Sequence, residues 1–553
     1  MEVVTAWATL IRDIRKHTNG WLLVSLIGAA VVLLPLLPIL ISLFQAPNEN
    51  WQHIQEYLLR SYLVETSVLV LFTSLFTVLL AVPLAWLIAA YDFPLRGFFR
   101  WGLMLPLTIP PYIAAYTYST MFSYTGVVQT ALRSLGVTPD PRYFGIMSMP
   151  GAVFIFTLFL FPYVYIITKS FLENQSGSYV ENGLLLGRSP AAIFFRIALP
   201  MSRPAIIGGV SLVAFEVLGD YGVANYYGIQ TISTAIFRTW FGMYDIDSAV
   251  RLAAWLMVVI VGLFILEHLF RQGRQFSATT SRSRPLVPRK LRGAGAVAAS
   301  LFCGLVFAWS FLIPILQLVV WATWTYGDVL TPAFWELTAR SLQLALLATA
   351  IILVLSVVVA NVNRTMASRS TQALARLITA GYSVPGAIVA VGVLVIFLWA
   401  DRLLAPFYAR MGMGDAPLVL SLSLAMLLVA YVVRFMATGY HAVEAGFEKI
   451  GTRYLEVSRM LGHGITRSFF RVDLPLIKGA LFSGAILTFV EIVKELPLAL
   501  LLRPFNFNTL ATKAYQYASD EQIHQAAVPS LFIIALSMLS VFLLDRVGRE
   551  SAE

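Results

Sequence analysis

The chain alternates between long apolar runs and short polar breaks. Apolar residues dominate roughly 20–44, 61–91, 98–122, 148–172, 201–220 and 247–270, then 295–323, 340–362, 374–400, 417–440, 476–499 and 525–545. A helix needs about 20 apolar residues to cross a bilayer, so the pattern predicts twelve membrane-spanning helices. The fifth and eleventh runs carry Glu216 and Glu491 and are bounded least sharply. The first run follows Arg12, Arg15 and Lys16. It is too long for a signal-peptide core, and no small-x-small cleavage site follows closely, so it reads as an uncleaved first span.

Composition agrees with this pattern. Of 553 residues, 58% are hydrophobic and 12% charged, against about 25% charged in soluble domains. This excludes an ordinary soluble enzyme, a disordered chain and a secreted disulfide scaffold. The single cysteine, Cys303, has no internal partner and reads as a small buried hydrophobe. The net charge of +10 reads as orientation charge. Basic residues crowd alternate connections: Arg96 and Arg100; Lys169, Arg188, Arg196 and Arg203; Arg364, Arg369 and Arg376; Lys449, Arg453, Arg459, Arg467, Arg471 and Lys478. The opposite connections hold far fewer, which places both termini in the cytoplasm. No basic motif with interleaved aromatics points to nucleic acid. The stretch 271–294 is basic and rich in Ser, Pro and Gly, and reads as a cytoplasmic linker between two halves, 1–270 and 295–553.

A repeat organises the chain. Residues 181–200 read ENGLLLGRSPAAIFFRIALP, and 456–475, an offset of 275, read EVSRMLGHGITRSFFRVDLP. The same offset pairs Pro110 with Pro385, Glu216 with Glu491, Asp220 with Glu495, Thr234 with Thr509 and Arg238 with Lys513. Six spans is an even number, so the two halves share one orientation and form a parallel repeat. Both copies fall in loops near 176–200 and 444–475, on the predicted cytoplasmic side. Each is too polar to span yet has apolar residues at helical spacing. Gly187 and Gly462 suit a tight turn between two short helices, and Leu-Pro breaks the second helix and starts the next span. A short helix with exposed apolar knobs, present twice, suits a partner with two equivalent grooves. The alternative is an interfacial helix resting on lipid.

These two segments resemble the coupling-loop (EAA) signature of ABC importer permeases. Glu181, Gly187, Ile197, Leu199 and Pro200 match its spacing, as do Glu456, Gly462, Leu474 and Pro475, with Val472 in place of Ile. Asn182-Gly183 and Val457-Ser458 depart from its Ala-Ala. The resemblance implies an all-α integral membrane protein of the type I importer kind, built as two parallel six-helix repeats in a bacterial inner membrane. It implies two copies of a cytoplasmic ATPase docked on the loops, one periplasmic or lipid-anchored solute-binding protein, and ATP with Mg²⁺ bound by the ATPase. The chain has no GxxxxGK[ST] phosphate loop, so it carries no catalytic residues and no cofactor of its own. The stretches from Glu216 and from Glu491, above all KELP followed by LLLRPF, resemble the fused two-half permeases of ferric-iron importers. Thiamine, polyamine, sulfate and phosphonate permeases are relatives of that group.

Charge inside the spans supplies candidate chemistry. Glu216 and Glu491 sit where a carboxylate is costly, and Asp220 and Glu495 follow one helical turn later on the same face. If the halves pack about a pseudo-two-fold axis, four carboxylates converge on the pathway, with Tyr221, Tyr226 and Tyr227 nearby. Hard oxygen ligands suit a hard trivalent cation passing transiently. The competing reading is structural, with Lys494 neutralising Glu491 or Glu495. Arg238, Lys513 and Arg503 are expected outside, where they would meet an acidic rim of a solute-binding protein. The histidines are scattered and no HxxxH or CxxC spacing occurs, so a fixed metal site is not expected. A twelve-span secondary transporter has no place for the paired loops, and a polytopic enzyme would need an acid, base or metal cluster that is not evident.

Overall fold

The computed structural model describes residues 20–550, apart from 138–139, 141–143, 176, 273–284, 367–368, 380–383, 414–417 and 422. The basic residues Arg12, Arg15 and Lys16, and Arg274, Arg282 and Arg284 of the linker, lie outside the described residues. The principal helices of the first half are α1 Gly20–Ser42, α2 Glu49–Ala90, α3 Pro111–Phe122, α4 Met149–Asn174, α5 Arg203–Gly219 and α6 Ile246–Glu267. Those of the second are α7 Ala294–Val329, α8 Pro332–Met366, α9 Gly386–Arg410, α10 Leu424–Ile450, α11 Lys478–Lys494 and α12 Ile523–Leu544.

Among the described residues, nine helices are long and apolar enough to cross a membrane, or eleven when two bent pairs each count as one span. The expected twelfth is the run 98–122. It is not one helix but a helix at Arg96–Gly102, a 3-10 turn at Leu105–Thr108 and then α3. Proline causes the break: Pro106, Pro110 and Pro111 lack amide protons, and Ile109 and Pro110, each preceding a proline, stand in extended backbone. The bent pairs are Pro190–Met201 with α5, at 66°, and Ile465–Leu476 with α11, at 73°. Each bend follows the Leu-Pro of the repeated segment, at Ser202 and Ile477.

Packing confirms the duplication. In the first half α2, α4 and α5 pack mutually, and in the second α8, α10 and α11 do the same. Pro110 and Pro385 both stand in extended backbone as the residue before a helix. The 275-residue register does not continue to Thr234, however. Thr231 caps Ile232–Phe237 and Thr509 caps Leu510–Ser519, each accepting the amide of a threonine three residues on, Thr234 and Thr512, at 3.2 Å. The equivalent residues there are 278 apart, because the second half has three more residues in the loop after Leu502. Thr234 therefore pairs with Thr512 and not with Thr509, and the proposed pairing of Arg238 with Lys513 falls with it.

The first helix of each half crosses to the other. Near residue 20, α1 packs on α8 and α10, with Trp21 Nε1 donating to Thr466 Oγ1 at 3.0 Å and its ring meeting Phe469 edge-on at 4.9 Å. A break at Leu34–Leu36 lets the Pro35 carbonyl press against Gly392, where a Cβ would lie 2.2 Å from the oxygen. The far end of α1 returns to α6. In the same way α7 starts on the Arg96–Gly102 helix, through Phe307 against Phe98 and Gly102, and ends on α12. Equivalent exchanges in both directions define a pseudo-two-fold axis between the halves.

The described end of the linker is not free. Arg289–Lys290 pairs in parallel with Tyr91–Asp92, Leu291 N donates to the Asp92 carbonyl at 2.8 Å, and Leu286 N donates to the Glu173 carbonyl at 2.9 Å. The buried Leu286 sits in a pocket with Trp86, Val180, Leu184 and Ile193.

Candidate functional site: two repeated loops and a charged cavity

The two repeated loops fold alike. In the first, a helix at Gly177–Leu185 ends on Gly187, whose φ of +69° is left-handed. Gly187 N donates to the Leu184 carbonyl at 3.0 Å and Arg188 N to the Gly183 carbonyl at 3.1 Å. In the second, Arg453–Met460 ends on Gly462 with φ +79°. Gly462 N reaches the Arg459 carbonyl at 3.0 Å, and His463 N the Ser458 carbonyl at 3.1 Å. This is the Schellman termination, which needs a left-handed residue and so favours glycine. The return arms are Pro190–Met201 and Ile465–Leu476, holding Ile197, Leu199 and Pro200 in one and Val472, Leu474 and Pro475 in the other. Two of the four positions that depart from Ala-Ala have a packing reason, while Asn182 and Val457 are exposed. A Cβ on Gly183 would lie 2.8 Å from Ile197 Cδ1, while Ser458 is bonded to Ser468 of its own return arm at 2.8 Å.

Both loops lie at the end of the bundle that holds residue 20 and the linker. Glu181 and Glu456 are exposed there. So are apolar side chains that a monomeric soluble protein would not leave together: Leu185 and Leu186 (84% and 78% exposed), Phe195, Met460 (88%), Leu461 and Phe470.

The supports behind the loops differ. The first rests on the linker through Leu286. The second rests on a buried ion pair that sequence reading missed: Arg364 Nη1 at the end of α8 meets Asp473 Oδ1 at 3.0 Å, with the side chains 8% and 1% exposed. Arg364 Nη2 also donates to the Gly451 carbonyl at 2.5 Å, and its guanidinium lies 4.9 Å from the Phe447 ring. At the equivalent positions the first half has Ala89 and Ala198.

The intramembrane acids do converge. Glu216, Asp220, Glu491 and Glu495 line one cavity of about 100 Å³ together with Pro110, Tyr112, Arg434 and Lys494. They divide into two kinds. Asp220 accepts the amides of Val223 and Ala224 at 2.9 and 3.1 Å, and Glu495 accepts that of Leu498 at 3.1 Å. These two cap the short helices Gly222–Tyr226 and Pro497–Leu502 that follow the ends of α5 and α11. Glu216 and Glu491 stand one turn earlier on the cavity wall without such a role. Lys494 Nζ pairs with Glu491 at 2.7 Å, and Arg434 lies 3.6 Å from Glu495 while donating to the Val384 carbonyl at 2.5 Å. The expected Lys494 neutralisation of Glu491 is thus present; the Arg434 contact, legible only as an arginine inside an apolar span, was not assigned a role.

Tyr221, Tyr226 and Tyr227 do not line the cavity. Tyr221 stacks on Phe237 and Tyr227 donates to the Ala115 carbonyl at 3.1 Å. Tyr112 and Tyr163 take the wall instead. A second, mostly apolar cavity of about 420 Å³ shares Tyr163, Glu491 and Lys494 with the first and continues past His441, Ser537 and Ser540. The Lys494–Glu491 pair therefore stands in the wall common to both. Among the described residues, no three His, Cys, Asp or Glu side chains come close enough to hold a metal ion. Arg503 donates to the Phe507 carbonyl at 3.4 Å and Lys513 lies 4.2 Å from the Tyr517 ring, both on the segment that follows α11, while Arg238 is exposed.

A duplicated helical membrane protein, with paired exposed loops at one end and a charged cavity on its pseudo-two-fold axis, has the form of a two-half permease. Comparison with known proteins places it. The family described as binding-protein-dependent transport system inner membrane component matches residues 66–271 and again 364–550, and the chain belongs to that family. It is 25% identical over 538 residues, 95% of its own length and 97% of the relative's, to the Fe(3+)-transport system permease protein FbpB 2 of Haemophilus influenzae. It is 26% identical over 200 residues to the sulfate transport system permease protein CysT of Escherichia coli, covering 35% of this chain and 70% of that one. It is 29% identical over 167 residues to the molybdenum transport system permease protein ModB of Haemophilus influenzae, covering 29% and 69%.

Proposed function

We propose that the chain is the pore subunit of an ATP-driven importer of ferric iron in a bacterial inner membrane. The observation that carries the substrate is the match to an Fe(3+) permease through both halves, where the sulfate and molybdenum permeases match about a third of the chain. The charge of the cavity points the same way: four carboxylates against Arg434 and Lys494 favour a cation over an oxyanion.

In this reading both termini and both loops face the cytoplasm. Two copies of an ATPase, which bind ATP and Mg²⁺, dock on Glu181–Pro200 and Glu456–Pro475, with the exposed leucine, methionine and phenylalanine side chains as knobs. Closure of the ATPases swings the two halves, 1–270 and 295–553 joined by the linker 271–294, so that the cavity opens to alternate sides. The chain performs no hydrolysis. One periplasmic or lipid-anchored solute-binding protein delivers iron at the end of the bundle away from the loops, where Arg238, Arg503 and Lys513 are available to an acidic rim. Glu216 and Glu491 offer the passing ion hard oxygen ligands, while Asp220 and Glu495 hold the short helices around it.

The test is ATP-dependent uptake of labelled ferric iron by cells with and without the chain, with sulfate, thiamine and spermidine in parallel. Selective loss of iron uptake without the chain, and in Glu216→Gln and Glu491→Gln chains that still reach the membrane, is expected. Unchanged iron uptake with another substrate lost would refute the ferric assignment.

A further inference from the structure

The two halves contribute unequally to the cavity. Each supplies two carboxylates, but both basic side chains come from the second half: Lys494 has Gly219 as its counterpart and Arg434 has Phe159. A symmetric cation path would need neither. Lys494 also occupies a particular place, since it is paired at 2.7 Å with Glu491 in the wall shared by the central cavity and the larger apolar one. Glu216 lines the central cavity across the pseudo-two-fold axis. Tyr112, 4% exposed, lines the same cavity, and its hydroxyl is buried without a hydrogen-bond partner. A buried phenol left unsatisfied costs free energy unless a ligand meets it.

We propose that Lys494 is a tethered stand-in for the transported cation: its ammonium satisfies Glu491 while the cavity is empty, and an entering multivalent cation displaces it, taking Glu491, Glu216 and the Tyr112 oxygen as ligands. This rests on the cation-path reading above and adds to it. A trivalent ion outcompetes a monovalent ammonium for two carboxylates, yet the ammonium cannot leave with the cargo because it is covalently held. It returns once the ion has passed, so the acids neither retain the ion nor stand open to ambient cations. Only the half carrying Lys494 needs this device, because one ammonium suffices for one path.

The experiment uses the full-length chain in lipid nanodiscs and titrates Tb³⁺, whose luminescence is sensitised by nearby tyrosine. Removing the stand-in in Lys494→Met is expected to tighten Tb³⁺ binding by about tenfold or more, because one positive charge at contact distance is withdrawn. Lys494→Arg is expected to stay within about twofold of the parent, and adding Glu216→Gln to Lys494→Met is expected to cancel the gain. The opposite variant guards against a failure to fold. Gly219→Lys installs a second stand-in where a Cβ meets Pro385 at 3.6 Å and Arg434 Nη2 at 3.9 Å, ordinary contact distances, and it is expected to weaken Tb³⁺ binding by about tenfold. Parent-like Tb³⁺ affinity in folded Lys494→Met or in folded Gly219→Lys overturns the proposal. The wider reading fails separately: normal iron uptake by the Glu216→Gln/Glu491→Gln double variant would overturn the cation path itself. Lost uptake in that variant, with Tb³⁺ affinity unmoved by Lys494→Met and Gly219→Lys, would leave the path standing and remove the tethered cation.

Discussion

Replacing Arg364 with methionine is expected to loosen the second loop and leave the first untouched. The substitution keeps most of the side-chain volume and deletes the charge, so the Asp473 carboxylate, 1% exposed and 3.0 Å from the guanidinium, loses its cation. Stripping one partner from a buried ion pair costs about 3–5 kcal/mol. One oxygen of Asp473 already has no hydrogen-bond partner, so the geometry is imperfect and the lower figure applies. About 3 kcal/mol corresponds to about a hundredfold in an opening equilibrium. Hydrogen exchange resolved by mass spectrometry reads this directly. Amides of 465–476 are expected to exchange about a hundred times faster in Arg364→Met, with those of 190–201 unchanged. The chain contains its own control, because the first half has alanine at both equivalent positions. The double variant Arg364→Met/Asp473→Leu removes both charges while keeping the buried volume apolar and filled, and is expected to recover most of the protection, as replacing a buried pair with apolar residues of similar size does. Parent-like exchange in Arg364→Met, or a double variant as fast as the single one, would refute the reasoning.

Further expectations concern the turns, the linker and a half-buried carboxylate. A Cβ at Gly187 or Gly462 meets no neighbouring atom, so the cost of alanine there is backbone strain of about 1–2 kcal/mol at φ +69° or +79°; ATP-driven uptake should fall while membrane insertion persists, and normal uptake by both single variants would remove the coupling role. Leu286→Asp puts a charge into the apolar seat formed by Trp86, Val180, Leu184 and Ile193; protease sensitivity should rise near 286 and in 177–193, and unchanged digestion would show that the linker does not brace the first loop. Asp245 is held below the usual carboxylate range: partial burial pushes its pKa up, but hydrogen bonds from Ser248, Asn50 and Asn48 outweigh this. Its tie between the segment after α1 and the start of α6 is therefore fully formed above about pH 4 and lost as pH falls through the lower folded value. Exchange at 48–50 should accelerate only in that acidic window, and an Asp245→Asn chain should lack the transition.

The duplication, nine of the twelve spans among the described residues (eleven with each bent pair counted as one) and the glycine turns of the loops were legible in the sequence because each follows from local pattern. Apolar length marks a span, and a glycine followed by Leu-Pro at fixed spacing marks a turn and a bend. The run 98–122 misled because hydropathy averages over prolines that break a helix without making it polar. The slip from 275 to 278 was hidden because threonines recur three residues apart in both halves, so Thr234 aligns with the wrong threonine. Convergence of the four acids was anticipated from the repeat alone, but their division was not. Whether a carboxylate caps a short helix, as Asp220 and Glu495 do, depends on where the backbone breaks. Arg364 with Asp473, and the linker with Tyr91–Asp92, are contacts between residues more than a hundred positions apart and leave no local pattern.

The crossing of the first helices bears on how the protein is made. Trp21 finds its hydrogen-bond partner 445 residues later, at Thr466. At about 5–20 residues per second, a nascent chain needs about 20–90 s to supply it. The far end of α1 can settle on α6 as soon as the first half is made, but its start waits for α8, its Pro35 break for Gly392, and Trp21 for Thr466. The newborn first half is thus an incomplete object that only the ribosome's continued work can finish. A chain stopped anywhere before residue 466 leaves Trp21 without this partner, so the second loop is the last part of the protein that the first helix can meet.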